Sequence, residues 1–185
     1  MKKPTSIFIL LCVTATVLFL TACTKSNDAA VTPPTLYDSL GGTTMVIDPA
    51  NTSVKIEQGR LGIRSVVDST IFVIAADPKL NGFFKVLLAE VTSGNKTGFT
   101  ELSKNLTDFF CVATGAKNFT YTGDNMVAAH DPAQNPRMNG KAASADFDEF
   151  ITDLVAGANK NKLPSNLITS VGALVNTVRS SVVQK

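Results

Sequence analysis

Apolar residues follow a helical period along most of this chain. Residues 59–76 carry them at intervals of three and four, and this run ends at Asp77-Pro78, where proline disfavours helical geometry in the residue before it. Its valine, isoleucine and threonine content favours a strand locally, but its length favours a helix. Similar periods over 100–114, after the N-cap candidate Ser144 and over 164–183 predict further helices.

Shorter segments complete the predicted fold. Residues 36–40 are typical of a short helix that ends at Gly41-Gly42, because glycine commonly follows a helix C-terminus. Residues 43–57 are either a loop with a short hairpin or an insertion. The segment 123–130 predicts a short helix that ends before Asp131-Pro132, which places His130 on its last turn. The pattern therefore predicts an all-α domain of about six helices.

The N-terminus has the pattern of a secretion signal. Two lysines precede an apolar run over 7–20, which is too short to span a bilayer comfortably as a permanent helix. The sequence Leu20-Thr21-Ala22-Cys23 resembles the bacterial lipobox, which implies cleavage before Cys23 and lipid on its sulfur. A plain secretory signal and an uncleaved anchor are the alternatives.

This pattern divides the chain into three parts. We expect a lipoprotein signal peptide over 1–22, a lipid anchor and flexible tether over 23–35, and a folded domain over 36–185. The lipid would hold the protein at a membrane outside the cytoplasm, on the periplasmic face or the cell surface. Thr24 stands where an aspartate would favour inner-membrane retention, so the outer membrane is the expected location.

Composition excludes several classes of function. The 185 residues include 17 Lys and Arg and 15 Asp and Glu, and cleavage of the two leader lysines would leave no net charge. Such a balance argues against a basic nucleic-acid-binding surface, and 44% apolar content argues against disorder. One histidine and three cysteines cannot easily close a zinc site. There is no phosphate-binding glycine loop and no Gly-x-Ser-x-Gly nucleophile motif.

The single histidine, His130, is the main candidate for chemistry. A lone histidine is more often structural than functional, and here it has no histidine partner for a protein-only metal site. Haem is the exception, because the porphyrin supplies four nitrogens and one imidazole completes the protein's share of the ligands.

Five segments, in the right order, resemble the group 1 truncated haemoglobins. Residues 36–42 resemble the opening of that family, and 66–84 resemble its second helix and the turn that follows. Residues 109–115 are similar to the end of its E helix, 121–130 to the segment that ends in the proximal histidine, and 145–150 to the helix after it. The resemblance implies a two-on-two helical sandwich with insertions before helix B and after helix F.

The resemblance also assigns roles around a haem b group. His130 matches the proximal iron ligand, and Phe84 or its neighbour Phe83 matches the phenylalanine that stacks on the porphyrin. The pocket-wall positions correspond to Phe110, Tyr121 and Met126.

The distal positions depart from the family pattern. Where the family often has a tyrosine on helix B and a glutamine on helix E, this chain has Ile71, Leu102 and Leu106. The two insertions could still bring a polar group to the haem, and the candidates for it are Lys55, Arg60, Thr70 and Asn139.

The implied function is reversible binding of a diatomic gas (O₂, NO or CO) at the haem iron of a membrane-tethered protein. We expect a monomer, and the sequence identifies no electron donor. One alternative is a haem-free interaction lipoprotein that kept the globin fold. The other is a haem-dependent NO dioxygenase.

Overall fold

The structure is a computed structural model that describes residues 33–185. This part of the chain contains eight α-helices and one β-hairpin. The helices are α1 (Leu36–Ser39), α2 (Gln58–Ala76), α3 (Lys85–Thr92), α4 (Thr97–Ala113), α5 (Met126–His130), α6 (Ser144–Lys160), α7 (Ser165–Asn176) and α8 (Arg179–Val182). A 3₁₀ helix over Asn81–Phe84 precedes α3. The predicted signal peptide, Cys23 and the tether as far as residue 32 lie outside the described residues.

The region between α1 and α2 contains a hairpin, which is one of the two predicted forms of residues 43–57. Strand β1 (Met45–Asp48) pairs antiparallel with β2 (Asn51–Glu57), and Met45 lies opposite Glu57. The register is irregular at Asp48. This hairpin lies directly before α2, where the resemblance implied an insertion.

The turn after α1 has the predicted glycine geometry. Thr35 caps α1, and Asp38 completes a capping box by accepting the backbone N–H of Thr35. Gly41 and Gly42 then adopt φ of +127° and +61°, which L-residues rarely adopt. A Cβ on Gly41 would also lie 2.9 Å from the backbone nitrogen of Gly59. The glycines therefore let the chain reverse closely against the start of α2.

Helix α2 is the central element, and it packs against α4 on one side and α6 on the other. Its buried residues Ile63, Val67 and Ile71 share a core with Phe110 of α4 and Phe147 of α6. The helical prediction for 59–76 is thus confirmed, because tertiary burial along one face of α2 outweighs the local strand preference of its β-branched residues.

Helix boundaries differ from the sequence prediction in two places. Ser144, the predicted N-cap of α6, is the first residue of that helix, and Ala143 is the N-cap. The Asp146 carboxylate accepts the Ala143 N–H at 2.8 Å, which stabilises this boundary. The predicted C-terminal helix over 164–183 is divided into α7 and α8 near Thr177, whose hydroxyl donates to the Leu174 carbonyl. Among residues 33–185, no helix is long and apolar enough to cross a membrane.

Candidate functional site

His130 is the last residue of the short helix α5. The Asn125 side chain caps the start of this helix by accepting the Ala128 N–H at 3.0 Å. Asp131 ends it in an extended conformation, as expected for a residue before proline. These two boundaries fix the position of the His130 side chain at the end of α5.

Local contacts also set the tautomer and charge of the His130 ring. Its Nδ1 lies 2.8 Å from the carbonyl oxygen of Met126, one turn earlier. A carbonyl can only accept, so Nδ1 carries the proton and the lone pair lies on Nε2. Burial lowers the pKa of His130 below its usual value, against the opposing effect of this hydrogen bond. The side chain is therefore a neutral imidazole with Nε2 available as a metal ligand.

A cavity of about 420 Å³ lies beside His130. This volume falls within the range of about 300–1,000 Å³ that is usual for small-molecule and cofactor pockets. Most of its wall is apolar and comes from the C-terminal half of α2, from α3 and α4, and from the segment around α5. Of the nine predicted cofactor-binding residues, the wall includes Ile71, Phe84, Leu102, Leu106, Tyr121, Met126 and His130.

The other two predicted residues, Phe83 and Phe110, do not belong to this wall. Successive residues of a 3₁₀ helix point about 120° apart, so Phe84 faces the cavity while Phe83 packs near Gly140 and the Lys185 ammonium group. Helix α4 makes a similar division, in which Phe109 lines the cavity and Phe110 is buried in the core. Of the two neighbouring phenylalanines, Phe84 is thus the one that lines this cavity.

Phe110 borders a second cavity of about 260 Å³ between the N-terminal half of α2 and helices α6 and α7. Its wall contains no histidine, cysteine, acidic or basic side chain. Of these two cavities, the one at His130 is therefore the one whose wall offers a histidine nitrogen to a ligand.

None of the four candidate distal donors lines the His130 cavity. Arg60 forms an ion pair of 2.7 Å with Asp108, and Thr70 donates to a carbonyl of its own helix at 2.8 Å. Asn139 donates to the backbone of the 3₁₀ helix at 2.9 Å, and Lys55 is exposed on β2. The partners of Arg60, Thr70 and Asn139 explain why these three side chains are not directed into the cavity.

The insertion after α5 supplies polar wall residues that sequence reasoning missed. Arg137 lines the cavity and donates from Nε to Glu90 of α3 at 3.1 Å and from Nη1 to Glu101 of α4 at 3.0 Å. The hydrogen bond to Glu90 is the main cause of the raised pKa of Arg137. The Asn139 N–H donates to the Phe83 carbonyl at 2.9 Å, which fixes the same loop to the 3₁₀ helix. The insertion therefore joins both sides of the cavity.

Other wall residues were also absent from the sequence prediction. Phe109 packs edge-on against Tyr121 with ring centroids 6.0 Å apart, and Phe72 of α2 lies 5.5 Å from Phe99 of α4. The apolar stripe of α4 was a signal for Phe109, whereas no pattern indicated Phe72, which is 63% exposed. Asn105 adds an amide to the wall.

Comparison with solved structures identifies the fold. The truncated haemoglobin of Tetrahymena pyriformis in its Fe(III) form has a TM-score of 0.58 and 21% identity to this chain, and the match covers 82% of this chain and 100% of that one. The 2/2 haemoglobin of Synechococcus sp. PCC 7002, in the cyanomet state with covalently attached haem, has a TM-score of 0.57 with the same identity and coverage. The chain thus has the truncated haemoglobin fold, with insertions before α2 and after α5.

Comparisons of the sequence add no relatives. No family model matches this chain, and no curated protein matches it.

Proposed function

We propose that this chain is a haem protein that binds a diatomic gas reversibly and is held at a membrane by an N-terminal lipid. The observation that carries the proposal is the neutral His130 imidazole, whose Nδ1–H is bound to a backbone carbonyl and whose Nε2 is available beside a large apolar cavity. Both fold neighbours are haemoglobins, and one carries a covalently attached haem. When bound, the haem iron would supply the coordination position for the gas.

The residues of the cavity fit a porphyrin in chemistry. A haem would be held by a side-chain ligand to its iron, by apolar surroundings for its ring and by polar surroundings for its two carboxylates. His130 would supply the nitrogen, and Phe84 and Met126 would pack against the ring. Arg137 is the one arginine or lysine of the wall within the described residues, so it is the group that would meet a haem carboxylate.

The protein's own contribution is to orient one ligand and to exclude water. The Met126 carbonyl holds the His130 ring in one tautomer and increases its basicity, as hydrogen-bond acceptors of metal-ligating histidines generally do. Ile71, Leu102 and Leu106 line the cavity with aliphatic side chains, which offer no hydrogen-bond donor. We therefore infer weak retention of O₂ relative to a pocket with a distal tyrosine or glutamine.

The lipid tether in this proposal rests on the sequence alone. Leu20-Thr21-Ala22-Cys23 follows a basic and then apolar leader, as in a lipoprotein signal. Mass spectrometry of the membrane fraction is expected to show a chain that begins at Cys23 and carries diacylglycerol. A Cys23→Ala change is expected to abolish that mass, and an unmodified mature chain in the wild type would contradict the tether.

The haem assignment is tested by titrating the purified protein with haemin and recording its visible spectrum. We expect a Soret band with one haem per chain, and we expect His130→Gly to lose the native band and recover it with added imidazole. Phe84→Leu is expected to weaken haem affinity more than the matched change Phe83→Leu, because only Phe84 lines the cavity. Absence of a Soret band in the folded wild-type protein would refute haem binding and favour a haem-free role for the fold.

A further inference from the structure

Three carboxylates from two helices come together away from the His130 cavity. Asp77 follows the last residue of α2, while Glu149 and Asp153 stand one turn apart on α6. Each offers an oxygen, and these three oxygens all lie within 4.8 Å of one another. None of the three residues lines either cavity.

The packing of α2 on α6 holds the three groups in place. The helices make close contact where Gly157 of α6 meets Thr70 of α2, because an added Cβ on Gly157 would lie 2.8 Å from the Thr70 backbone nitrogen. Two turns further along α2, the chain reaches Asp77, and one turn back along α6 it reaches Asp153. The cluster is thus formed by the most extensive helix contact in the described chain rather than by flexible surface side chains.

The burial of Asp153 distinguishes this cluster from an ordinary group of acidic residues on the surface. Asp153 is only 5% exposed, and its buried Oδ2 has no hydrogen-bond partner among the described residues. The Oδ2 of Asp77 is also buried and without a partner. Burial, followed by the charges of Asp77 and Glu149, raises the pKa of Asp153. Buried charged groups normally have a partner or bind a metal, so a bound cation would compensate the charge of these carboxylates.

The nearby ammonium group of Lys79 compensates only part of the charge. Its Nζ lies 2.5 Å from Oε2 of Glu149, and its side chain is 66% exposed. It leaves the buried oxygens of Asp77 and Asp153 without a hydrogen bond. An exposed lysine can move aside when a stronger cation enters.

We propose that Asp77, Glu149 and Asp153 form a divalent cation site that selects Ca²⁺. A set of oxygen ligands without nitrogen or sulfur favours a hard cation. Bonds of about 2.4 Å to Ca²⁺ require its ligand oxygens to lie within about 4.8 Å of one another, and the three carboxylate oxygens satisfy this limit. The cation would neutralise the buried carboxylates and tie the end of α2 to α6.

The test is calorimetric titration of the chelator-treated full chain with CaCl₂ and, separately, MgCl₂. We expect one Ca²⁺ per chain, with weaker Mg²⁺ binding and a higher melting temperature in Ca²⁺. Loss of a residue that only hydrogen-bonds to a metal ligand costs about 10- to 100-fold in metal affinity, so loss of a ligand in Asp153→Asn should weaken Ca²⁺ binding at least about tenfold. Glu149→Gln, at a less buried position, should do the same if the first variant folds poorly.

Two further variants make the result specific. Asp148→Asn removes an exposed carboxylate of the same helix outside the cluster and should leave the Ca²⁺ affinity within about twofold of wild type. Lys79→Gln removes the competing ammonium and should tighten binding. No Ca²⁺ binding up to about 10 mM, well above the weakest extracellular sites, would overturn the proposal. It would also fail if Asp153→Asn raised the melting temperature equally with and without Ca²⁺, because that result would indicate a carboxylate pair that shares a proton.

Discussion

The side chain of Leu106 provides a direct test of how the cavity wall controls ligand retention. It lines the His130 cavity from α4, at a position where the resembled family often has a glutamine. Leu106→Gln keeps the side chain close to its original size and adds an amide donor. We expect this change to slow O₂ dissociation from the haem-loaded ferrous protein, because dioxygen bound to iron is polar and gains from a donor.

The magnitude follows from the free energy of one buried hydrogen bond. A bond of this kind to a charged or strongly polar group contributes about 1.5–3 kcal/mol. If all of it appears in the dissociation rate, Leu106→Gln should slow O₂ release by about one to two orders of magnitude. The CO dissociation rate should change much less, since CO bound to iron is less polar. Stopped-flow replacement of O₂ by CO, together with laser photolysis, measures both rates.

The wall contains one native amide that must be separated from this effect. Asn105 lines the same cavity from the neighbouring position on α4. We expect Asn105→Leu and the size-matched control Leu106→Met to leave the O₂ dissociation rate near the wild-type value. Slow O₂ release in the wild type that becomes fast in Asn105→Leu would refute the reasoning, because Asn105 would then be the donor. An unchanged rate in Leu106→Gln would refute the placement of Leu106.

Two further predictions concern stability. Gly157→Ala should destabilise the fold by about 1–3 kcal/mol in urea unfolding, because its Cβ would collide with Thr70. Gly172→Ala in α7 has open space around the new Cβ and should stabilise the fold by about 0.5–1 kcal/mol. Similar effects of the two changes would contradict the close helix contact. The Arg64 guanidinium, which donates two hydrogen bonds to Asp48, lowers the pKa of that carboxyl from 3.8 to about 2. Stability from this pair should therefore be present above about pH 4 and lost as the pH falls towards 2, and Asp48→Asn should flatten the stability curve over that interval.

The long helices could be predicted because their burial is periodic and their ends have clear signals. Helix α2 shows this most clearly, since Asp77-Pro78 marks its end and its core residues recur at three and four. Counting back from that end along an uninterrupted helix places Ile71 on the cavity wall. The sequence did not decide between a hairpin and an insertion over residues 43–57, because burial along β1 does not follow its chemistry. Met45 and Ile47 are exposed there, whereas Asp48 is buried.

Positions where two neighbouring residues have similar chemistry could not be resolved from the sequence. Helix α4 is buried on more than one face, so Phe109 and Phe110 both satisfy an apolar pattern although they point to different cavities. Phe83 and Phe84 lie in a 3₁₀ helix, whose tighter turn is not encoded by a helical period. Only the packed structure distinguishes the members of each pair.

The insertion after His130 shows why polar wall residues are harder to predict than the histidine itself. The role of His130 depends on contacts within its own helix, since Met126 is four residues earlier and Pro132 is two residues later. Arg137 reaches the wall only because Glu90 and Glu101 of two other helices accept its hydrogen bonds. Such distant pairs have no fixed sequence spacing. It follows that changes in the loop can alter the polarity of the cavity without altering the hydrogen bond that orients His130.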